Sequence, residues 1–415
     1  MAEKILKTNF SLNDKYTLFE GRVIMSGIQA LVRLLLDQHR ADIIKGINTG
    51  TLVSGYRGSP VGTLDINLLK NKKLLDEHNV KFIPGVNEDL GATLIYGSQM
   101  AGMVSNVKYD GVLGMWYGKA PGVDRSGDIF RHANFMGVGK NGGVLAVAGD
   151  DPSCKSSTLP SQSEPALFDA MMPIFYPGNV QEILDLGRYA YEMSRYSGLW
   201  SGFKIVTDIA DGFGNAFVDP QRVNVTIPDF KYNGQPWKHT QNAKLVGHHS
   251  LPTEKEIHLG RITAAKHFLA ANPINKITVQ ANNDKIGIVT AGKTYYDLIE
   301  AFESLGWSTD FLNSAGIRVL KLGATFPVDA PMINKFSEGL DEIFVIEEKR
   351  SFIEMLIKEE MFNYPNKPLI VGKLDENNNH LVPGYGELTA DHLAKLLFKR
   401  YSKLINADSP NTKIN

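Results

Sequence analysis

The stretch GVNEDLGATLIYGSQMAG (85–102) sets Glu88 and Asp89 side by side, between a short apolar run and a segment of small residues. A carboxylate can act as a general acid or base, provided its helix comes close to what it acts on. Gly91, Ala92, Gly97, Ser98, Ala101 and Gly102 read as a helix packed closely against another surface. Acidic residues at a helix start are also ordinary, because the free N–H groups and the dipole favour negative charge. Glu88 alone therefore fits either role. Asp89 turns about 100° away on a helix of 3.6 residues per turn and reads as a first-turn carboxylate.

Three further polar loops follow apolar runs of strand length: SGYRGSPVG (54–62), GKAPGVDRSGD (118–128) and GDDPSCKSSTLPSQSE (149–164). Singly, each is ordinary turn chemistry. Gathered on one sheet edge they are better explained by a binding site, although composition cannot name the ligand. Farther on, VIEEKRSFIE holds Glu347, Glu348 and Arg350 after a buried strand, either at a domain interface or at a solvated helix start. His248 and His249 have no third ligand at sensible spacing and read as part of a solvated linker.

The elements that must position these loops alternate from residue 21 to about 210. GRVIMSGIQALVRLLLDQ reads as a helix with Ile24, Ile28, Leu31 and Leu35 on one face. GTLVSGY, VKFIPGV, DGVLGMWYG, GGVLAVAGDD and FKIVTDIA are apolar runs of buried-strand length. Such alternation predicts a parallel sheet covered on both faces, with ligands at the C-terminal strand edge. The spacing predicts an α/β unit over 1–215, an irregular linker with one helix over 216–284, a smaller α/β unit over 285–405 and a polar tail over 406–415.

Composition narrows the class. With 44 basic and 45 acidic side chains in 415 residues, the formal net charge of -1 gives no basic face for nucleic acid. The single cysteine, Cys154, excludes a disulfide framework or a cysteine-ligated cluster built from this chain alone. No apolar run approaches the roughly 20 residues that span a bilayer, so the expected setting is cytoplasmic, with no membrane partner.

The order of the loops resembles the bacterial indolepyruvate ferredoxin oxidoreductases, members of the thiamine-diphosphate-dependent 2-oxoacid:ferredoxin oxidoreductases. The resemblance runs from LFEGRVIMSGIQALVRLLL through SGYRGSP, PGVNEDLGAT, YDGVLGMWYGKAPGVDRSGDIFRHAN and GDDPSCKSSTLPSQSE to YPGNVQEILDLG, MSRYSG and FVIEEKRSFIE. It implies a pyrimidine-type thiamine-diphosphate-binding domain, followed by a domain similar to the transketolase C-terminal domain.

What the resemblance implies for residues is specific. Glu88 would hydrogen-bond the aminopyrimidine ring of thiamine diphosphate and favour its imino tautomer, giving acid–base help through the cofactor. Gly58, Ser59 and Asn87 would lie beside the cofactor. SGYRGSP stands where the family has Tyr-Pro-Gly-Thr-Pro, with Ser59 at the Thr position and Arg57 replacing a Pro. Ser59, Arg57 and Arg125 are thus the candidates for the substrate carboxylate. The bland alternative for Arg125 is an ion pair with Asp128. Ser156, Ser157 and Glu164 fall in a loop similar to the family's Ser-Ser-Gln segment.

The chain lacks the Gly-Asp-Gly…Asn motif that holds Mg²⁺ and diphosphate in this class, and it lacks Cys-x-x-Cys. No metal ligand is therefore expected here. The resemblance places Mg²⁺ and a 4Fe-4S cluster on a downstream diphosphate-binding domain or partner subunit. It implies an oligomer that converts an aryl 2-oxoacid, coenzyme A and oxidised ferredoxin to acyl-CoA, carbon dioxide and reduced ferredoxin, with this portion inactive alone. The rival readings are a subunit of another thiamine enzyme, transketolase-like or non-oxidative, and a non-catalytic docking subunit.

Overall fold

A computed structural model describes residues 10–401, so the tail expected at 406–415 lies outside the described residues. In chain order, β1 (Gly21–Ser26) leads into α1 (Gly27–Ile44) and β2 (Thr49–Gly55), then β3 (Val80–Phe82) and α2 (Glu88–Ser98). β4 (Gly111–Lys119) is followed by α3 (Ala120–Arg125), α4 (Gly127–Met136) and β5 (Gly143–Asp150). β6 (Ile174–Phe175), α5 (Val180–Ser197), β7 (Ser201–Val206) and β8 (Phe213–Val218) complete the first unit.

The helix expected to start near residue 21 begins later. GRVIMS is a strand, antiparallel to β8. Val23 and Met25 are buried while Arg22 and Ile24 face out, the two-residue alternation of a strand. Ile24 is thus on no helical face. Ser26 then starts α1 with a capping box: its hydroxyl accepts the Gln29 N–H, and Gln29 Oε1 accepts the Ser26 N–H at 3.0 Å.

After β8, α6 (Gly247–Glu256) runs through a π-helical turn (Ile257–Arg261) into α7 (Ile262–Ala271). This stretch docks on the first unit. Arg261 is fully buried and donates to the carbonyls of Asn134 (2.5 Å) and Thr240 (2.7 Å). His248 and His249 are exposed on α6. The second unit holds β9 (Lys276–Val279), β10 (Ile286–Ala291), α8 (Gly292–Ser304), β11 (Ile317–Leu322) and β12 (Ala324–Phe326). β13 (Glu342–Val345), α9 (Ile353–Glu360), β14 (Leu369–Val371) and α10 (Ala390–Tyr401) follow. Its sheet begins at Lys276, ahead of the expected residue 285. KITV alternates exposed Lys276 with buried Val279 and presents no continuous apolar run.

The first sheet has the order β12-β6-β7-β5-β4-β2-β3, parallel from β6 to β3. Its last strand, β12, is antiparallel to β6 and comes from the second unit. The second sheet has the order β9-β11-β10-β13-β14, parallel except for β9. One apolar cluster packs α1 and α5 on the first sheet through Leu31, Leu35, Tyr191 and Phe203. The cluster on the opposite face joins Ile95, Trp116, Phe130 and Trp200 to Val289, Phe326, Phe336 and Phe352 of the second unit. The two units share that core. Among the described residues no helix is long and apolar enough to cross a membrane.

Between α1 and α5 lies a buried polar network. Arg195 binds Asp42 through two nitrogens (3.0 and 2.9 Å) and also pairs with Glu192, while Arg188 donates to Gln38 at 2.8 Å. Burial alone would raise the Glu192 carboxyl, but the Arg195 and Lys45 cations outweigh it and hold it at about 2. A folded value below the unfolded one stabilises the fold above the ordinary carboxylate range, and that contribution is lost as pH falls from 4.5 to about 2. Glu192→Gln should therefore cost about 2 kcal/mol at neutral pH and flatten the acid limb in that window, read by urea titration at several pH values. An unchanged pH dependence would remove Glu192 from this role.

Candidate active site at the edge of the first sheet

Strand order reverses beside β2: β3 lies on one side of it and β4 on the other. The connections that leave the paired C-terminal ends of β2 and β4 therefore run to opposite sides, which opens the crevice where α/β sheets bind ligands. SGYRGSP leaves β2 there, GKAPG leaves β4, and α2 starts there after β3.

Glu88 is the first residue of α2 and is 8% exposed. Asn87, the N-cap, adopts an extended backbone, and its side-chain oxygen accepts the Leu90 N–H at 2.9 Å. That capping bond sets the helix start and leaves the Asn87 amide group free of it. Trp116, fully buried and edge-on to Phe130, donates its indole N–H to the Glu88 carbonyl at 2.9 Å. These bonds fix the Glu88 backbone. Its carboxylate has no hydrogen-bonding side-chain or backbone partner among the described residues.

Glycines let the surrounding backbone close on this side chain. A Cβ on Gly91 would stand 2.9 Å from Gly55 Cα, so α2 rests directly on the end of β2. A Cβ on Gly122 would overlap Glu88 Cγ and come within 3.1 Å of its Cδ and Oε1. Gly118 lies beside the same stem, 3.5 Å from Glu88 Cγ by the same measure. The small residues expected on this helix divide: Gly91 and Ala92 are buried and Gly97 faces open space, while Ala101 and Gly102 lie past the end of α2 in a 3-10 turn (Ala101–Met103).

Ser59 and Gly58 lie on the neighbouring loop. The Ser59 hydroxyl shares a hydrogen bond with the Ser156 hydroxyl, and its carbonyl accepts from Ser157 at 3.4 Å. Gly58 packs under Lys119, whose Cδ would lie 2.9 Å from a Cβ there. Arg57 is exposed beside this loop. Lys119, at the end of β4, is a cation that the sequence reading passed over; its signal was the polar loop that it opens. Arg125 pairs with Asp89 (2.8 Å) at the start of α2 rather than with the alternative partner Asp128. Both members of the Arg125–Asp89 pair are partly exposed, so the pair holds Arg125 only weakly.

Asp151 organises the loop after β5. Burial alone would raise its carboxyl, but the amides of Ser156 (2.8 Å), Lys155 (2.9 Å) and Ser157 (2.8 Å) bind the anion and hold it below the usual range. Glu164 sits apart from Ser59, buried against Lys204 at 2.6 Å. In the second unit, Glu347 accepts the amides of Phe352, Ile353 and Glu354 at 2.8–3.0 Å and caps α9. Glu348 is buried where the units meet, and burial raises its carboxyl against the pull of Lys204 and Lys293.

The donor set suits an organic ring with a basic nitrogen: the carboxyl of a residue only 8% exposed, its oxygens open to the crevice and without a protein partner among the described residues, in a cradle that a Cβ on Gly122 would fill. Among the described residues, no three or more His, Cys, Asp or Glu side chains are grouped to hold a metal ion.

Residues 276–411 match the family model of the indolepyruvate oxidoreductase domain. The IorA subunit of indolepyruvate oxidoreductase from Pyrococcus abyssi is 26% identical over 310 residues, 71% of this chain and 43% of that protein. The IorA subunit of Methanothermobacter marburgensis is 24% identical over 323 residues, 78% of this chain and 48% of that protein. The matched region thus spans less than half the length of these relatives. Among solved structures, 2-oxoglutarate:ferredoxin oxidoreductase from Magnetococcus marinus superposes with a TM-score of 0.67 at 14% identity, over 92% of this chain and 65% of that one. A split-gene transketolase superposes with a TM-score of 0.53 at 13% identity, over 91% and 98%. These two agree with the α/β arrangement of both units. The chain is similar in sequence to the IorA subunits of indolepyruvate oxidoreductases over 71–78% of its length.

Proposed function

We propose that this chain supplies the pyrimidine side of a thiamine-diphosphate site in a 2-oxoacid oxidoreductase acting on aryl 2-oxoacids such as indolepyruvate. The products would be acyl-CoA, carbon dioxide and reduced ferredoxin. The observation that carries this reading is Glu88, a residue only 8% exposed, fixed at its backbone and cradled by Gly118 and Gly122, whose carboxyl oxygens open to the crevice and have no protein partner among the described residues. When bound, thiamine diphosphate supplies an electron sink for decarboxylation.

The chain's own residues divide the remaining work. Glu88 holds and releases a proton at its carboxyl oxygens, against the ring nitrogen it would face. Asn87 and Trp116 keep that carboxyl in place through the cap and the indole bond. Ser59 offers a hydroxyl beside Gly58, and Arg57 and Lys119 offer cations for a substrate carboxylate. Arg125 is shared with Asp89, whereas Arg57 has no ion-pair partner among the described residues. Val86, Leu90 and Leu94 are exposed apolar side chains around the start of α2, suited to a docking domain that brings the diphosphate and Mg²⁺ groups. The 4Fe-4S cluster would come from outside this chain as well.

This reading sets three outcomes. Titration calorimetry of the 415-residue chain with thiamine diphosphate and Mg²⁺ should show negligible binding, and binding should appear once the diphosphate-binding domain is added. Micromolar, Mg²⁺-dependent binding to the chain alone would locate a diphosphate site here and overturn the division. Gly122→Ala, which pushes on the Glu88 stem, should weaken cofactor binding in the assembly by about tenfold, or 1.4 kcal/mol, with the melting curve kept. Unchanged affinity would mean that the Gly122 cradle does not set the carboxyl. Arg57→Leu should raise KM for 2-oxoacids by removing a charge-assisted hydrogen bond worth about 1.5–3 kcal/mol. An unaltered KM would leave the carboxylate to other groups.

A further inference from the structure

The loop from Asp151 to Ser157 touches Ser59 through Ser156 and Ser157, yet it is neither helix nor strand. Its shape rests on polar ties. One set is internal, the three amides gathered by Asp151. A second set comes from the smaller unit. Lys349, buried and in the left-handed region at φ 60, donates its ammonium to the Pro152 carbonyl. Glu387 pairs with Lys155 at 3.1 Å, and Lys155 also binds Asp208 at 2.6 Å. Farther along, Gln162 exchanges hydrogen bonds with the Arg350 backbone at 3.3 and 3.4 Å.

A left-handed conformation is costly for a side chain such as lysine, and it persists only where the surroundings hold it. Here that turn aims an ammonium at one carbonyl of the other unit. The shared apolar core and β12, paired in the first sheet, hold the two units in register, so the tie reaches its target in a fixed geometry.

We propose that Lys349 and Glu387 are positioning residues of the second unit that clamp loop 151–157 against Ser59 and so set where the Ser59 hydroxyl stands. The consequence for substrate rests on the proposed function; the clamp does not.

Hydrogen exchange on the 415-residue chain tests the clamp without any ligand. In Lys349→Met and in Glu387→Gln, the amides of Lys155, Ser156 and Ser157 should exchange about tenfold faster, with those of β4 and β5 unchanged. Two variants guard against one failing to fold. Unchanged exchange at 155–157 in both would overturn the clamp, whatever reaction the protein performs. In the assembled oxidoreductase, Lys349→Met should raise KM for the 2-oxoacid several-fold, with kcat within about twofold, and Lys349→Arg should restore it. Faster exchange with an unmoved KM would overturn the positioning of Ser59 for substrate while leaving the function reading intact.

Discussion

The structure turns on how closely α2 approaches the ends of β2 and β4. Gly91 lies against the Gly55 backbone and Gly122 against the Glu88 stem, and a Cβ at either place would force them apart. Because no side chain intervenes, a helix start is brought into the crevice where the strand order reverses. Trp116 then locks the Glu88 carbonyl and Asn87 caps the first turn. A side chain at a helix start usually stands free in solvent. The stem of this one is enclosed, because its neighbours are glycines, and only its carboxyl oxygens open to the crevice.

The second unit is built into the first. Its strand β12 extends the first sheet at β6, and its side chains continue the apolar cluster beneath α2 and α4. Gly323 is where the chain passes from one sheet to the other, between β11 and β12. A domain joined by a strand and a shared core can place single side chains on its neighbour reliably, which a flexible linker would not allow. The Arg261 contacts extend the same attachment to the region between the units.

Much of this was legible in the sequence, and the gaps have physical reasons. The apolar runs VLGMWYG and VLAVAG could hardly be other than central strands, and the polar loops after them do gather at one edge. The helix start at Glu88 was legible as a local pattern, whereas the role given to its carboxyl came from the family resemblance alone. β1 was misread as helix because GRVIMS continues into a true helix, and its alternation is confirmed only by pairing with residues 213–218. β9 escaped for the same reason, being four residues with no apolar run. The partner of Arg125 was missed because Asp89 lies 36 residues away. Lys349 and Pro152 are separated by 197 residues, so their contact belongs to the tertiary fold alone.

The central claim is that Glu88 does acid–base work through a bound thiamine. Its most direct test is proton exchange at the thiazolium C2 in the assembled enzyme, followed by NMR after a jump into D₂O, for wild type and Glu88→Gln. Loss of a positioned acid–base group predicts exchange slower by about 10²-fold or more, with cofactor still bound and the fold intact. A wild-type exchange rate in the Gln variant would contradict the account and leave Glu88 a helix-start carboxylate.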